Sequence, residues 1–141
     1  MQVNRYLSFD GQCERAFALY QQCLGGQCGA IFRYAGSPMA GQVPDDWQDK
    51  VMHGSITVGG QVLMGGDVAP GGYEEPEGFS LSLQMANTAE AERIFTDRAQ
   101  DGRVVLPLEK TFWAARFGMV VDRFGIPWLI NCEEVRPTAG A

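Results

Sequence analysis

Hydrophobic and polar residues alternate most cleanly over Phe79-Ser80-Leu81-Ser82-Leu83-Gln84-Met85. Side chains two apart share one face of a strand, so Phe79, Leu81, Leu83 and Met85 point one way and Ser80, Ser82 and Gln84 the other. The period then lengthens to that of a helix. Ala91, Ile94, Phe95 and Ala99 share a face, Asn87 and Glu90 supply an N-terminal cap, and Asp101-Gly102 ends the run. Strands are predicted next over residues 104–108, 113–121 and 126–132.

The first half carries the same order of signals. A strand over 3–9 precedes a helix opened by Asp10-Gly11, with Cys13, Ala16, Phe17, Tyr20, Cys23 and Leu24 at helical spacing and Gly25-Gly26 at its end. Strands are predicted over 28–34, 51–58 and 61–64, with Gly59-Gly60 as a hairpin turn. Laying Ala16 on Ala91 superposes the two helices. The pattern predicts an α+β chain of two βαβββ modules in a single domain, about 1–66 and 79–133, with a turn-rich linker at 67–78 and a short tail at 134–141. Residues 35–50 form a Gly/Pro-rich loop long enough to act as a lid. Covering each helix with its apolar strand face leaves Ser80, Ser82 and Gln84 on the opposite, concave face, which suits a cup for a small molecule.

Composition narrows the partners. The chain has 141 residues, 45% of them hydrophobic, and 11 basic against 17 acidic residues for a net charge of −6. That is a globular chain without the clustered Lys and Arg that neutralise phosphates, so no nucleic-acid partner is expected. No window is long and apolar enough for a membrane span, and the start lacks a basic segment followed by an apolar block. A cytoplasmic protein without a membrane partner is expected. Cys13, Cys23, Cys28 and Cys132 follow no metal-ligand or redox spacing and read as small hydrophobes.

Candidate chemistry concentrates near the end of the chain. Trp113, Arg116 and Trp128 stand on two predicted strands, and indole faces with a guanidinium can grip a flat or anionic molecule. Arg116, between Ala115 and Phe117, needs an anion, from a ligand or from a carboxylate of the chain. His53 is the sole histidine, so no Ser-His-Asp triad can form within one chain. It is a candidate base or ligand donor, and Tyr6 is a second candidate from the first module. Glu74, Glu75 and Glu77 read as a solvated run, and Glu133-Glu134 ends the last strand.

Together with the paired modules, four segments resemble the PhnB-like branch of the vicinal oxygen chelate superfamily, which includes glyoxalase I, fosfomycin- and bleomycin-resistance proteins and extradiol dioxygenases. They are Phe9-Asp10-Gly11, Val51-Met52-His53, Phe112-Trp113-Ala114-Ala115-Arg116-Phe117-Gly118 and Asp122-Arg123-Phe124-Gly125-Ile126-Pro127-Trp128. The resemblance implies a cupped mixed eight-stranded sheet with helices on its convex face, in a homodimer. Two-fold pairing would also cover exposed strand edges.

Metal-using relatives take His or Glu ligands from the first and last strands of each module. The resemblance lays Arg5, Met64, Ser80 and Leu129 on those positions, and none is a competent ligand for a divalent cation. A slip of one residue offers Tyr6, Leu63 or Gly65, Phe79 or Leu81, and Trp128 or Ile130, no better suited. No metal is expected. No cofactor is expected either: the glycine pairs 59-60, 65-66 and 71-72 fall in hairpin turns or the linker, so the methyltransferase label that this branch sometimes carries has no Gly-rich strand-to-helix turn behind it.

Three functions follow. The first is a metal-independent protein binding a small, flat or anionic molecule in the cup through Trp113, Arg116, Trp128, His53 and Tyr6. The second is a lyase, isomerase or transferase acting on a small carbonyl or anionic substrate through His53, Arg116 and Tyr6. The third is a scaffold that only dimerises.

Overall fold

The computed structural model describes residues 1–133; the expected tail at 134–141, with Glu134, lies outside the described residues. The chain divides between Glu74 and Glu75 into two compact units.

In unit one, β1 (Arg5–Phe9), α1 (Cys13–Leu24), β2 (Gln27–Arg33), β3 (Val51–Val58) and β4 (Gln61–Asp67) follow the predicted order. The sheet runs β1-β4-β3-β2, with β1 parallel to β4 and the other pairs antiparallel. Leu7 and Phe9 on β1, Ile56 on β3 and Leu63 on β4 are buried, as are Ala16, Phe17 and Tyr20 on α1. Phe9 and Phe17 meet edge to face at 5.8 Å, so this face of the sheet carries the helix. Gly59 and Gly60 both take left-handed φ, 56° and 76°, and make the β3–β4 hairpin.

Three details differ from the sequence pattern. β4 runs on to Asp67, so Gly65-Gly66 lies inside a strand and not in a turn. The helix starts at Cys13, and its N-cap residue Gln12 makes no side-chain capping bond. Asp67 takes over from 54 residues away: its Oδ1 accepts from Cys13 N at 2.9 Å and its Oδ2 from Val51 N at 2.9 Å. Its carbonyl accepts from the Tyr34 hydroxyl at 2.5 Å. One residue thus ties the start of α1, the start of β3 and the neck of the 35–50 loop. Within that loop two short 3-10 turns, Ala40–Gln42 and Asp45–Trp47, are held by Gln48 Nε2 donating to Ala40 O and Val43 O.

Unit two repeats the plan with β5 (Leu81–Met85), α2 (Thr88–Ala99), β6 (Arg103–Glu109), β7 (Ala114–Val121) and β8 (Pro127–Glu133) in a sheet ordered β5-β8-β7-β6. Asn87 caps α2 as predicted, its Oδ1 accepting from Glu90 N at 3.0 Å. The helix packs Ala91, Ile94 and Phe95 into a core with Leu81, Val120, Trp128, Ile130 and Cys132. Helix and sheet approach so closely that a Cβ on Gly118 would stand 2.8 Å from the Phe95 ring and 2.9 Å from the Leu108 backbone.

The motif Asp122-Arg123-Phe124-Gly125-Ile126-Pro127-Trp128 is a turn closed around one carboxylate. Asp122 Oδ1 accepts from Phe124 N at 2.9 Å and Ile126 N at 3.0 Å, and Oδ2 accepts from the Trp128 indole at 2.8 Å. The indole is bonded to Asp122 at its edge, and its face carries the Arg98 guanidinium at 4.8 Å. Among the described residues, no helix is long and apolar enough to cross a membrane.

Candidate functional site

On unit one the sheet face away from α1 is set by register. Tyr6 pairs with Met64, Met64 with Ser55, and His53, two residues before Ser55, with Phe32. These side chains share the helix-free face because Gly54, their neighbour on β3, faces Phe17 of α1. The Tyr6 and His53 rings stack at 5.8 Å with 23° between their planes, and Phe32 lies 6.4 Å from His53 at 30°. Tyr6 is 51% and Phe32 56% exposed. A row of three rings therefore faces outward, with Phe32 also lining a groove of about 520 Å³ beside Pro38 and Met52. Burial of the Tyr6 hydroxyl, reinforced by Cys13 and Tyr34, raises its pKa above the ordinary 10, so at neutral pH it is a proton donor and not a base.

A larger cavity of about 700 Å³ lies beside the start of α1. Several of its charges are already engaged. Arg33 is ion-paired with Glu14, and Asp67 holds two backbone N–H groups.

On unit two the helix-free face carries Ser82 and Gln84 of β5, Leu129 and Asn131 of β8, and Phe117 and Met119 of β7, as the register requires. Trp113 joins them by packing edge-on against Phe117 at 5.2 Å. Asn131 Nδ2 donates to Gln84 Oε1 at 2.6 Å, and Gln84 Nε2 donates to Ser82 Oγ at 2.8 Å.

Of the residues singled out from sequence, His53 and Tyr6 come together on unit one, and Trp113 stands on the helix-free face of unit two. Trp128 and Arg116 do not. Trp128 is 1% exposed in the core under α2, its indole held by Asp122, so it cannot line an accessible cup. The alternation Ile126, Trp128, Ile130, Cys132 was the available signal for that burial. Arg116 lies on the helix side, paired across β7 and β8 with buried Cys132. Its Nε donates to Glu92 Oε1 of α2 at 3.2 Å and its Nη1 to Ala115 O at 2.6 Å. The anion that Arg116 needed comes from the chain itself. Phe32 and Asn131 were missed because only strand pairing brings them beside His53 and Gln84, and Phe117 was missed although its spacing of four from Trp113 puts both on one face.

The four positions considered above for metal ligands take the following places in register. Tyr6, not Arg5, stands beside Met64, and Ser82, not Ser80, beside Leu129 on the helix-free faces. A neutral phenol, a thioether, a hydroxyl and an alkyl group do not fit a divalent metal. Among the described residues no three His, Cys, Asp or Glu side chains gather into a group able to hold an ion. Of the glycine pairs, 59-60 turns a hairpin, 65-66 lies within β4 and 71-72 follows it, so none of the three opens a helix.

Comparison with known proteins agrees along nearly the whole chain. The family model described as 3-demethylubiquinone-9 3-methyltransferase matches residues 1–131. Protein YjdN of Escherichia coli K12 is 33% identical, with 98% of this chain and 99% of YjdN covered. The crystal structure of protein PA1353 from Pseudomonas aeruginosa is 46% identical over 96% of this chain and 99% of that one, with a TM-score of 0.85. The PhnB protein from Bacillus cereus, 23% identical over 94% and 99% of the two chains, has a TM-score of 0.81. The fosfomycin resistance protein FosX from Listeria monocytogenes shares the fold at 9% identity over 96% and 94%, with a TM-score of 0.63. With two βαβββ units, a family match over residues 1–131 and close likeness to YjdN, this chain belongs to the 3-demethylubiquinone-9 3-methyltransferase family, the PhnB-like branch of the vicinal oxygen chelate fold.

Proposed function

We infer that this protein binds a small, flat molecule without a metal, on the helix-free faces of its sheets, as a cytosolic homodimer. The outward row of Tyr6, His53 and Phe32 carries the reading. Two half-exposed aromatic rings flanking an imidazole leave apolar area in water that a planar ligand would cover, and stacked ring pairs contribute about 0.5–1.5 kcal/mol beyond area burial. The engagement of Arg116 with Glu92 withdraws the argument for an anionic ligand. The family's description speaks of methyl transfer, but a fold hosts several chemistries and activity is argued from the site.

The alternative, a lyase, isomerase or transferase, draws on one observation: two groups able to carry a proton, the Tyr6 phenol and the His53 imidazole, stack at 5.8 Å on the same face. Arg116, engaged with Glu92, no longer supports it.

A thermal-shift screen of planar aromatic molecules tests the reading. A ligand at 100 times its Kd stabilises by about 2.7 kcal/mol, which raises Tm by roughly 5–10 °C in a chain of this size. Tyr6→Ala and His53→Ala should each abolish most of that shift. A binder whose shift survives both changes would move the site elsewhere. Light scattering should give twice 15.4 kDa, and elemental analysis should find no stoichiometric metal.

A further inference from the structure

The side-chain chain on unit two has a loose end. Asn131 Oδ1 is shielded from solvent and has no hydrogen-bond partner among the described residues. Buried unpaired polar atoms are rare in native structures because the missing bond is costly. Phe117 stands beside Asn131 in register across β7 and β8, with Trp113 edge-on to it. An aromatic ring and an unpaired polar atom therefore neighbour each other on the helix-free face.

The chain can run in either direction. An amide carries both an acceptor and donors, and a hydroxyl is both at once. If Gln84 and Asn131 turn over together about their broad terminal torsions, the Ser82 hydroxyl donates to Gln84 Oε1 and Gln84 Nε2 donates to Asn131 Oδ1. Both internal bonds are kept, and the loose end becomes Asn131 Nδ2, a donor.

We propose that Ser82, Gln84 and Asn131 form a reversible relay that recognises the polar edge of a flat ring stacked on Phe117. The relay takes a ring N–H or O–H when Asn131 presents oxygen, and a ring nitrogen or carbonyl when it presents nitrogen. The ligand class is a fused aromatic or heteroaromatic ring with one polar atom at its edge; a purely hydrocarbon ring binds more weakly. This rests on the small-molecule reading above and adds the residues that select the ligand.

Indole, quinoline and naphthalene have similar shapes and offer a donor, an acceptor and neither. Each is titrated into the full ¹⁵N-labelled chain while the side-chain amide signals of Asn131 and Gln84 are followed. Indole and quinoline should shift both signals, and naphthalene should bind about fivefold more weakly, the worth of one net hydrogen bond. Asn131→Asp locks the polarity, because a carboxylate only accepts and Gln84 must donate to it. That variant should retain indole and weaken quinoline about fivefold or more. Gln84→Glu makes Asn131 Nδ2 donate inward and so also leaves an oxygen at the ligand end, and it serves should Asn131→Asp fail to fold. A residue with a purely structural role would change both ligands alike. Equal weakening of indole and quinoline, or naphthalene binding as tightly as indole, overturns the relay and leaves the small-molecule reading standing. Failure of all three rings to bind at millimolar concentration also overturns the relay, while the small-molecule reading then stands or falls on the Tyr6 and His53 variants.

Discussion

Asp122→Ala tests whether one carboxylate organises the end of unit two. Asp122 is buried and accepts from two backbone N–H groups of its own turn and from the Trp128 indole. Hydrogen bonds to a charged acceptor contribute about 1.5–3 kcal/mol each. The three share one carboxylate and do not add, and deleting the charge recovers part of its desolvation cost. The expected loss is about 3–4 kcal/mol, or roughly 10 °C in Tm for a chain of this length. Urea unfolding followed by tryptophan fluorescence measures it, with an unchanged slope confirming that the same transition is compared. Trp128→Phe removes the indole donor together with part of the buried ring and should cost at least about 2 kcal/mol. The double variant should cost about 1–2 kcal/mol less than the sum of the two, since each single change already breaks the shared bond. A loss below about 1 kcal/mol for Asp122→Ala, or strict additivity with Trp128→Phe, would refute the reasoning.

Three further outcomes are expected. Burial raises the Asp67 carboxyl above its ordinary 3.8, so the folded chain holds that proton to higher pH than the unfolded chain does. Its contribution to stability is therefore largest below pH 3.8 and declines as pH rises through the raised value; wild-type minus Asp67→Asn unfolding free energy should fall across that window, and a rise would contradict the assignment. Cys28 is exposed whereas Cys13 and Cys132 are buried, and burial with the nearby Asp67 charge holds the Cys13 thiol protonated. Iodoacetamide followed by peptide mass analysis should mark Cys28 in the native protein and reach Cys13 only after unfolding. Arg116→Met should cost less than about 1 kcal/mol, because the Glu92 it releases is more than half exposed; a loss near 3 kcal/mol in urea would show a buried partner instead.

Periodicity determined the elements. The alternation at 79–85 placed Leu81 and Leu83 on the helix face and Ser82 and Gln84 on the free one, because a strand's side chains repeat every two residues wherever it is placed. The Asn87–Glu90 cap and the Gly59-Gly60 hairpin were likewise legible, each being a local preference satisfied within four residues. The paired βαβββ order followed from these signals in sequence.

Tertiary structure decided what meets what. Asp67 caps a helix that begins 54 residues earlier, and no local pattern carries such a bond. Arg116 and Trp128 looked like ligand-binding groups because a charge and an indole in apolar strands need partners. The fold supplies both partners internally, Glu92 from α2 and Asp122 from the preceding turn. Tyr6, His53 and Phe32 become one row only when β1, β4, β3 and β2 line up in register, since a shift of one residue on any strand would turn its ring to the opposite face. Short-range chemistry thus settled where helices and strands lie, while the outward site depends on pairing between segments distant in the chain.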